Sequence, residues 1–383
     1  MHNTPTTVEV NDPVLLRLID RDPTVERLCT GFRFSEGPIW NPREQCLYFS
    51  DMPSDIRRRW SPEQGVVEVR NPSNKCNGMT YDRGGNLYVC EHVTSSLVME
   101  TPAGERKMLA TPWQGKELNS PNDVVVRSDG SIYFTDPTYG RMPVFGLERK
   151  QDLDFQGVYR LLPGGTLGRE AHDFDQPNGL CLSPDEKTLY VNDTTRAHIR
   201  AFDVAPDGAL SGSRIFAEHV GTGNYNEGVV DGMKCDEHGN VYVTGPRGIW
   251  VIGADGKHLG VLRLPEIAGN LNWGGRDWQD LYCACSGFVT VVHAPAEIRD
   301  VRLAIGSNAA SVWWVNGQEV IGIYNDRQTV IDDGVSKRLT LKKGPNVVRA
   351  AVVNAGGATD FCARFLDEEH RPVKEISIGL ADR

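Results

Sequence analysis

The chain has 383 residues, of which 39% are hydrophobic and 24% charged, and its formal net charge is -10 at pH 7. This composition is typical of a globular protein, and the acidic balance argues against a nucleic-acid partner, which would need clustered Lys and Arg. No apolar stretch approaches the roughly 20 residues of a membrane helix and no export signal is recognisable, so we expect no membrane partner and a cytoplasmic location, or a periplasmic one after removal of a leader.

Six segments of the chain share one pattern, in which a short apolar strand, a polar turn and a second strand centred on Tyr follow each other. The turns are rich in Asp, Gly, Asn and Pro, as in hairpins. The segments recur about every 40 to 57 residues, the period of a four-stranded blade. The pattern therefore predicts an all-β fold built on a six-bladed β-propeller. The central tyrosines are Tyr48, Tyr88, Tyr133, Tyr190, Tyr242 and Tyr282.

Each segment also opens with a carboxylate or amide side chain about ten residues before its tyrosine. Equivalent positions of a propeller converge on its axis, where buried oxygen groups need partners. A hard divalent cation would satisfy several of them together. The alternative is that the Asn pairs only form turns; it is as good an explanation of Asn77 or Asn270 but a poorer one of Glu36 with Asp231. The opening residues are Glu36, Asn77, Asn122, Asn178, Asp231 and Asn270.

The chemistry of these opening residues indicates which metal to expect. Oxygen ligands favour Ca²⁺, with Mg²⁺, Mn²⁺ or Zn²⁺ as alternatives, and neither His nor Cys occupies this register. We therefore predict one divalent metal ion, Ca²⁺ first, on the axis.

A second set of carboxylates lies three residues after the tyrosines. Most of them are expected to accept backbone N–H groups at strand ends, which is a structural role. Asp136 is kept as a candidate for the site, because its neighbours Thr135, Pro137 and Tyr139 predict an irregular loop. His92 is placed at the mouth of the pocket. The second set consists of Asp51, Glu91, Asp136 and Asp193.

The sequence pattern changes after residue 294. Alternating strands and Asn-Gly or Lys-Gly-Pro turns predict a small antiparallel β-sandwich over residues 295–383, following a propeller over residues 1–294. This part resembles the jelly-roll accessory domains of glycoside hydrolases. Packing or dimerisation is favoured over carbohydrate binding, because Trp313 or Trp314 must point inward. The expected strands contain Val301–Ile305, Val312–Gly317, Arg338–Leu341 and Val347–Val353.

Five motifs, taken together, are similar to those of the SMP-30/gluconolactonase family over about residues 20 to 294. The resemblance implies a six-bladed propeller with a central Ca²⁺ or other divalent ion and lactonase activity on aldonolactones. It also implies that Glu36, Asn178 and Asp231 bind the metal and that Asn122 lies close to it, contacting water or substrate. The motifs are Ser35-Glu36-Gly37-Pro38, Pro121-Asn122-Asp123, Thr135-Asp136-Pro137 with Tyr139-Gly140, Pro177-Asn178-Gly179 and Asp231-Gly232-Met233.

The first hypothesis is therefore metal-dependent hydrolysis of a small sugar lactone by a monomer or homodimer. Asp231 is the candidate general base, with Asp123 or Asp136 as substitutes. Asn122 and Tyr139 would orient the substrate.

Asn77 and His92 would line the same pocket. Trp273, bulkier than the family pattern, is expected to change the shape of that pocket. Two alternatives stay open: hydrolysis of phosphotriesters on the same metal, and a non-catalytic calcium-binding propeller that recognises a glycan through the sandwich.

Overall fold

The computed structural model describes residues 2–5, 7–19, 23–276, 278–285, 288–294, 298–307, 310–323, 334–342, 344–353, 361–367, 372–373 and 377–380. The chain divides into two compact units, Asn3–Ser286 and Met1–His2 with Gly287–Arg383. Within the described ranges, no helix has the length and apolar character that crossing a bilayer requires. The helices found there are short 3₁₀ turns at Pro13–Arg17, Tyr139–Arg141 and Tyr225–Glu227.

The first unit contains six antiparallel sheets in succession, each beginning with one of the predicted hairpins. Five sheets have four strands from their own segment, and the sixth has two in the described part. The predicted six-bladed propeller is therefore confirmed. The blades are Ser35–Asn41, Cys46–Asp51, Ile56–Ser61, Gly65–Arg70; Cys76–Tyr81, Leu87–Glu91, Ser96–Glu100, Arg106–Ala110; Val124–Val126, Ile132–Asp136, Gln156–Leu161, Leu167–Phe174; Pro177–Leu182, Thr188–Asp193, His198–Val204, Leu210–Ala217; Met233–Cys235, Val241–Gly245, Gly248–Ile252, His258–Arg263; and Ala268–Gly274, Asp280–Cys285.

Two further pairs of strands and one added strand complete the unit. Val8–Val10 pairs with the outer strand of blade 5, so the start of the chain is bound to a distant part of the sequence. His2–Pro5 pairs with Thr24–Arg27, and Pro112–Trp113 forms a small hairpin with Lys116–Glu117.

The hydrophobic core lies between neighbouring blades. Buried side chains of blade 4, including Tyr190, form one cluster with Met233 and Val243 of blade 5. Trp273 packs edge to face on Tyr242, with ring centroids 5.0 Å apart, in the core shared by blades 5 and 6. The expectation that Trp273 shapes the pocket is therefore wrong, because its ring is used in blade packing.

In four blades, the pairing between the innermost strand and its neighbour is interrupted by a register shift. In blade 1 the pairing slips between Glu36 and Ile39, and in blade 4 between Pro177 and Leu180. Blades 2 and 6 slip at the equivalent point. A bulge locally re-aims side chains, and here it falls each time at the oxygen-bearing residue that opens the blade.

We call the six oxygen-bearing residues that open the blades the axial ring. Backbone contacts between neighbouring blades link them into a circle. Neighbouring blades approach so closely that a Cβ on Gly37 would lie 2.0 Å from the Asn77 carbonyl oxygen, and one on Gly179 2.1 Å from that of Asp231. The Gly78 amide donates to the Asn122 carbonyl at 2.8 Å. Only Gly fits where two backbones are this close.

Side chains two residues after the blade tyrosines supply further links. Ser50 Oγ donates to the Asn77 carbonyl at 2.9 Å, Thr135 Oγ1 to that of Asn178 at 2.7 Å, and Asn192 Nδ2 to that of Asp231 at 2.5 Å. Each link joins one blade to the axial-ring residue of the next.

The last two links of the circle join blade 5 to blade 6 and blade 6 to blade 1. The Gly232 amide donates to the Gly269 carbonyl at 2.8 Å, and Asn270 Nδ2 donates to Glu36 Oε2 at 3.0 Å. The six axial-ring residues therefore come together as the repeat predicted.

The second unit contains two antiparallel sheets around one core. Leu303 and Phe365 come from one sheet and Trp313 and Val348 from the other, and all four are buried together. Trp313 is 3% exposed, so the predicted inward tryptophan is confirmed. One sheet has the order Gln318–Ile323, Ala310–Val315, Gly344–Val353, Phe288–Ala294, Ser377–Leu380, and in the other Ile298–Ser307 pairs with Gly334–Val335, Leu339–Leu341 and Phe361–Leu366.

The unit boundary lies earlier than the expected one after residue 294. Phe288–Ala294 pairs along its whole length with Gly344–Val353 of the second unit. The apolar alternation of this strand continues that of blade 6. Composition alone therefore did not locate the boundary between the two units.

Gly179→Ala tests the close approach of blades at the axial ring. The added methyl group would meet the Asp231 carbonyl oxygen, and backbone cannot move aside as a flexible side chain does. We expect a loss of about 2 to 3 kcal/mol in the free energy of unfolding, at the upper end of overpacking costs. The control is Gly164→Ala, where nothing lies within 4 Å of the new methyl group. Equal urea-unfolding midpoints for the two variants would contradict the prediction.

Candidate metal centre and active site

The axial ring is almost completely shielded from solvent. Glu36 is 2% exposed, and the four amide residues of the ring are between 2% and 4% exposed. Asp231 is half-buried. Oxygen-bearing side chains that are this buried must be satisfied by the protein or by something bound to it.

Three carboxyl groups lie within electrostatic reach of each other in the ring. Burial raises the pKa of Glu36 to about 7, and the charge of Asp123 adds to the rise. Burial, followed by the charges of Glu36 and Asp123, raises the pKa of Asp231 well above its ordinary value. The three groups therefore resist being ionised together unless a positive charge is added.

The hydrogen bonds of Glu36 leave part of its carboxylate available. Oε2 accepts from the Gly37 amide at 2.6 Å and from Asn270 Nδ2 at 3.0 Å. Oε1 accepts none from the described residues. Asn270 Oδ1 in turn accepts from the Leu271 amide at 2.8 Å, so Asn270 serves as a support for Glu36 rather than as a free ligand.

His92 orients the amide of Asn77. Its Nδ1 lies 2.8 Å from the Phe145 carbonyl, which can only accept, so Nδ1 carries the proton. Burial lowers the pKa of His92 to about 4, so the ring is neutral and Nε2 accepts from Asn77 Nδ2 at 3.3 Å. Asn77 Oδ1 is left buried without a partner. His92 is 0% exposed, so its expected place at the mouth is wrong.

Thr194 orients Asn178 in the same way. Its hydroxyl donates to the Val230 carbonyl at 2.8 Å and accepts from Asn178 Nδ2 at 3.1 Å. Asn178 Oδ1 is likewise buried without a partner. His92 and Thr194 each stand four residues after the tyrosine of their blade, a third register that the sequence analysis did not identify.

Asp136 is not brought into the axial ring. Its Oδ2 accepts from the Asn119 amide at 2.9 Å and its Oδ1 from the Ser120 amide at 2.7 Å. Burial raises the pKa of Asp136 to about 7, although these two hydrogen bonds act to lower it. With both oxygens used, Asp136 supports the segment that leads to Asn122, so the expectation that it differs from the rest of its register is wrong.

The other members of the second register behave similarly, with one exception. Asp51 accepts from the Arg33 amide at 3.1 Å and Asp193 from the Asp175 amide at 2.7 Å. Glu91 instead binds side chains, including Arg106 at 2.5 Å.

Tyr139 lies near both Tyr225 and Asp231. Its hydroxyl is 3.3 Å from that of Tyr225, which is 56% exposed. Burial raises the pKa of Tyr139, and the neighbouring Tyr225 and Asp231 add to this. Tyr139 is therefore a neutral hydroxyl group close to Asp231, and its role in orienting substrate stays a prediction.

Lys234 is a residue of this region that the sequence analysis missed. Its Nζ lies 3.8 Å from Asp123 Oδ2, which accepts no hydrogen bond. Burial raises the pKa of Asp123, whereas Lys234 lowers it. Lys234 follows the ring residue Asp231 by three positions, and only the fold reveals that its side chain reaches Asp123 of blade 3.

The donor set fits a hard cation better than a soft one. Among the described residues, no three His, Cys, Asp or Glu side chains form a group arranged to hold a metal ion. A cation here would have to combine carboxylate with amide oxygens, and Asn77 Oδ1 and Asn178 Oδ1 are both unpartnered. Such mixed oxygen sets are typical of Ca²⁺. The residues present therefore fit a divalent ion of this kind.

Comparisons with known proteins identify the relatives of this chain. The profile of the SMP-30/gluconolactonase/LRE-like region matches residues 34–287. A gluconolactonase of Zymomonas mobilis is 32% identical over 269 residues, which are 65% of this chain and 75% of that protein. Pentonolactonase XacC of Haloferax volcanii is 28% identical over 272 residues, 69% of this chain and 86% of that protein. The solved structure of a Xanthomonas campestris gluconolactonase has a TM-score of 0.67 at 31% identity and covers 75% of this chain and 95% of its own.

A neutral His92 makes stability depend on pH. The pKa of His92 is about 4 in the folded chain and about 6.5 when unfolded, so between these values only the unfolded chain takes up the proton. Unfolding is then favoured as pH falls, by up to about 3 kcal/mol over the full interval. We expect the stability advantage of the wild type over His92→Gln to shrink as pH falls from 7 to 4 in urea titrations.

The exposed His238 provides the control. His238→Gln removes a histidine that is not buried and is measured over the same pH range. A His92→Gln curve parallel to that of the wild type would show that His92 is not a buried neutral group.

Proposed function

Because this chain belongs to the SMP-30/gluconolactonase/LRE-like family, we propose that it is a metal-dependent lactonase that hydrolyses an aldonolactone such as gluconolactone to the aldonic acid. The gluconolactonases of Zymomonas mobilis and Xanthomonas campestris and the pentonolactonase of Haloferax volcanii support this class of substrate.

One observation carries the proposal: the axial ring combines repelling carboxyl groups with oriented, unpartnered amide oxygens. The charges of Glu36 and Asp123 raise the pKa of Asp231, and Asn77 Oδ1 and Asn178 Oδ1 lack partners. Buried polar atoms without partners cost free energy, and here two of them lie beside carboxyl groups that repel one another. A bound cation would offset both the repulsion and the missing partners.

Glu36, Asn178 and Asp231 would hold the metal, with Asn122 close to it. Calcium is proposed because the donors are carboxylate and amide oxygens. When bound, the ion would supply Lewis acidity toward the lactone carbonyl and the oxyanion formed from it.

The chain's own residues would supply proton transfer and orientation. Asp231 is half-buried, and its carboxylate, when ionised, can take a proton from the attacking water. Asp136 is less suited, because both its oxygens accept backbone amides. Asn122 and the Tyr139 hydroxyl would orient the hydroxyl groups of the sugar.

Asp231→Asn should abolish most of the lactonase activity. The amide keeps one oxygen for the metal but cannot accept the proton, so we expect kcat to fall by about 10² to 10⁴. The rate of acid release from aldonolactones in a pH-stat, above the spontaneous rate, measures this. Asp175→Asn, at an exposed position, should retain the wild-type rate. Full activity of Asp231→Asn would exclude Asp231 as the base.

Glu36→Gln should weaken calcium binding independently of any turnover. Losing one carboxylate from the ligand set lowers its charge, and we expect the Kd for Ca²⁺ to rise by about tenfold or more. Isothermal titration of chelator-treated protein with CaCl₂ measures the change, and Glu237→Gln, at an exposed site, is the matched control. Unchanged affinity in Glu36→Gln, or undiminished hydrolysis after chelation, would contradict the metal assignment.

A further inference from the structure

A second cavity lies outside the axial ring. It has a volume of about 530 Å³, within the size range of small-molecule sites. None of its lining residues belongs to the axial ring or to the registers described above. Its lining includes Trp113, Lys116, Asp154, Phe155, Arg169 and His172.

Three chain segments build the cavity. Trp113 and Lys116 belong to the hairpin Pro112–Trp113 and Lys116–Glu117, whose two turn residues both have positive φ, as tight hairpin turns require. Arg169 and His172 lie on the outer strand of blade 3, Leu167–Phe174. Phe155 stands immediately before the strand Gln156–Leu161.

Aromatic rings hold the Arg169 guanidinium in place. Its Cζ is 4.9 Å from the ring centroid of Trp113 and 4.8 Å from that of Phe155. The two rings meet edge to face at 5.6 Å and 89°. Cation–π contacts of this kind use no N–H donor of the guanidinium as a hydrogen-bond donor, so Arg169 keeps donors that can bind a carboxylate or phosphate.

The exposed basic side chains of the cavity form no ion pair with the described residues. Within that part of the chain, the side chains of Lys116, Arg169 and His172 also make no hydrogen bond, although Arg169 lies over the rings of Trp113 and Phe155 and His172 contacts the ring of Phe155. Asp154 is the acidic residue of the lining. The positive charges of Lys116 and Arg169 therefore outnumber the negative charges of the lining. In a chain of net charge -10, uncommitted cations around one cavity indicate a ligand of opposite charge.

We propose that this cavity binds a small organic anion, with its carboxylate or phosphate group on Arg169 and Lys116 and its body against Trp113. A bare inorganic ion could meet only the basic side chains, whereas a sugar acid or sugar phosphate can also pack its C–H groups on the indole of Trp113. The site is separate from the axial ring and does not depend on the lactonase assignment.

Isothermal titration at low salt tests the proposal with three probes: gluconate, glucose 6-phosphate and neutral glucose. Wild type is compared with Arg169→Gln and Lys116→Gln, and with Arg83→Gln, an exposed arginine elsewhere, as the matched control. We expect saturable binding of an anionic probe, weakened about tenfold or more in Arg169→Gln and unchanged within about twofold in Arg83→Gln. Arg169→Gln should keep wild-type lactone hydrolysis, which separates this cavity from the active site.

The probes also decide the chemistry. Binding of gluconate alone assigns the site to carboxylates, binding of glucose 6-phosphate alone assigns it to phosphates, and binding of both supports the shared anion site. The proposal is overturned if neither anion binds, if glucose binds as tightly as the anions, or if both cavity variants retain wild-type affinity.

Discussion

The structure of the first unit depends on the close approach of six backbones around one axis. Negative side chains gathered there repel one another in a region of low dielectric, so the fold must hold them together by other means. It does so through backbone contacts that only Gly permits, as at Gly37 and Gly179, and through side-chain links such as Thr135 to the Asn178 carbonyl. Blade packing therefore provides the free energy that confines the charged groups.

Carboxylates have two separate uses in this propeller, and hydrogen bonding decides between them. Asp136 accepts two backbone amides at the end of its strand, so its buried charge is already compensated. Asp231 is in contact with no comparable set of donors and is instead exposed to the charges of Glu36 and Asp123. The two aspartates thus differ in their surroundings, because Asp136 accepts two backbone amides whereas Asp231 lies among other carboxyl groups with Asn178 as a side-chain partner.

The repeat in the sequence was sufficient to predict the propeller and the six residues of its axial ring, because a closed array of equal units must bring equivalent positions together. It was not sufficient for contacts between different registers. His92 was placed at the mouth, yet its neutral ring is buried against Asn77, because the Phe145 carbonyl from a distant loop accepts a hydrogen bond from its Nδ1. Lys234 and Trp273 were misjudged or missed for the same reason: their partners belong to other blades.

The charged groups around the axial ring favour a divalent ion over a monovalent one. Glu36, Asp123 and Asp231 contribute up to three negative charges, and Lys234 contributes one positive charge, 3.8 Å from Asp123. The remaining balance is two negative charges, which a divalent cation neutralises and a monovalent one does not. If Lys234 compensates Asp123, the carboxylates left for the proposed ion are Glu36 and Asp231, with the amide oxygen of Asn178 that Thr194 orients as a further proposed ligand. These are the residues that the resemblance of the sequence motifs implies as ligands.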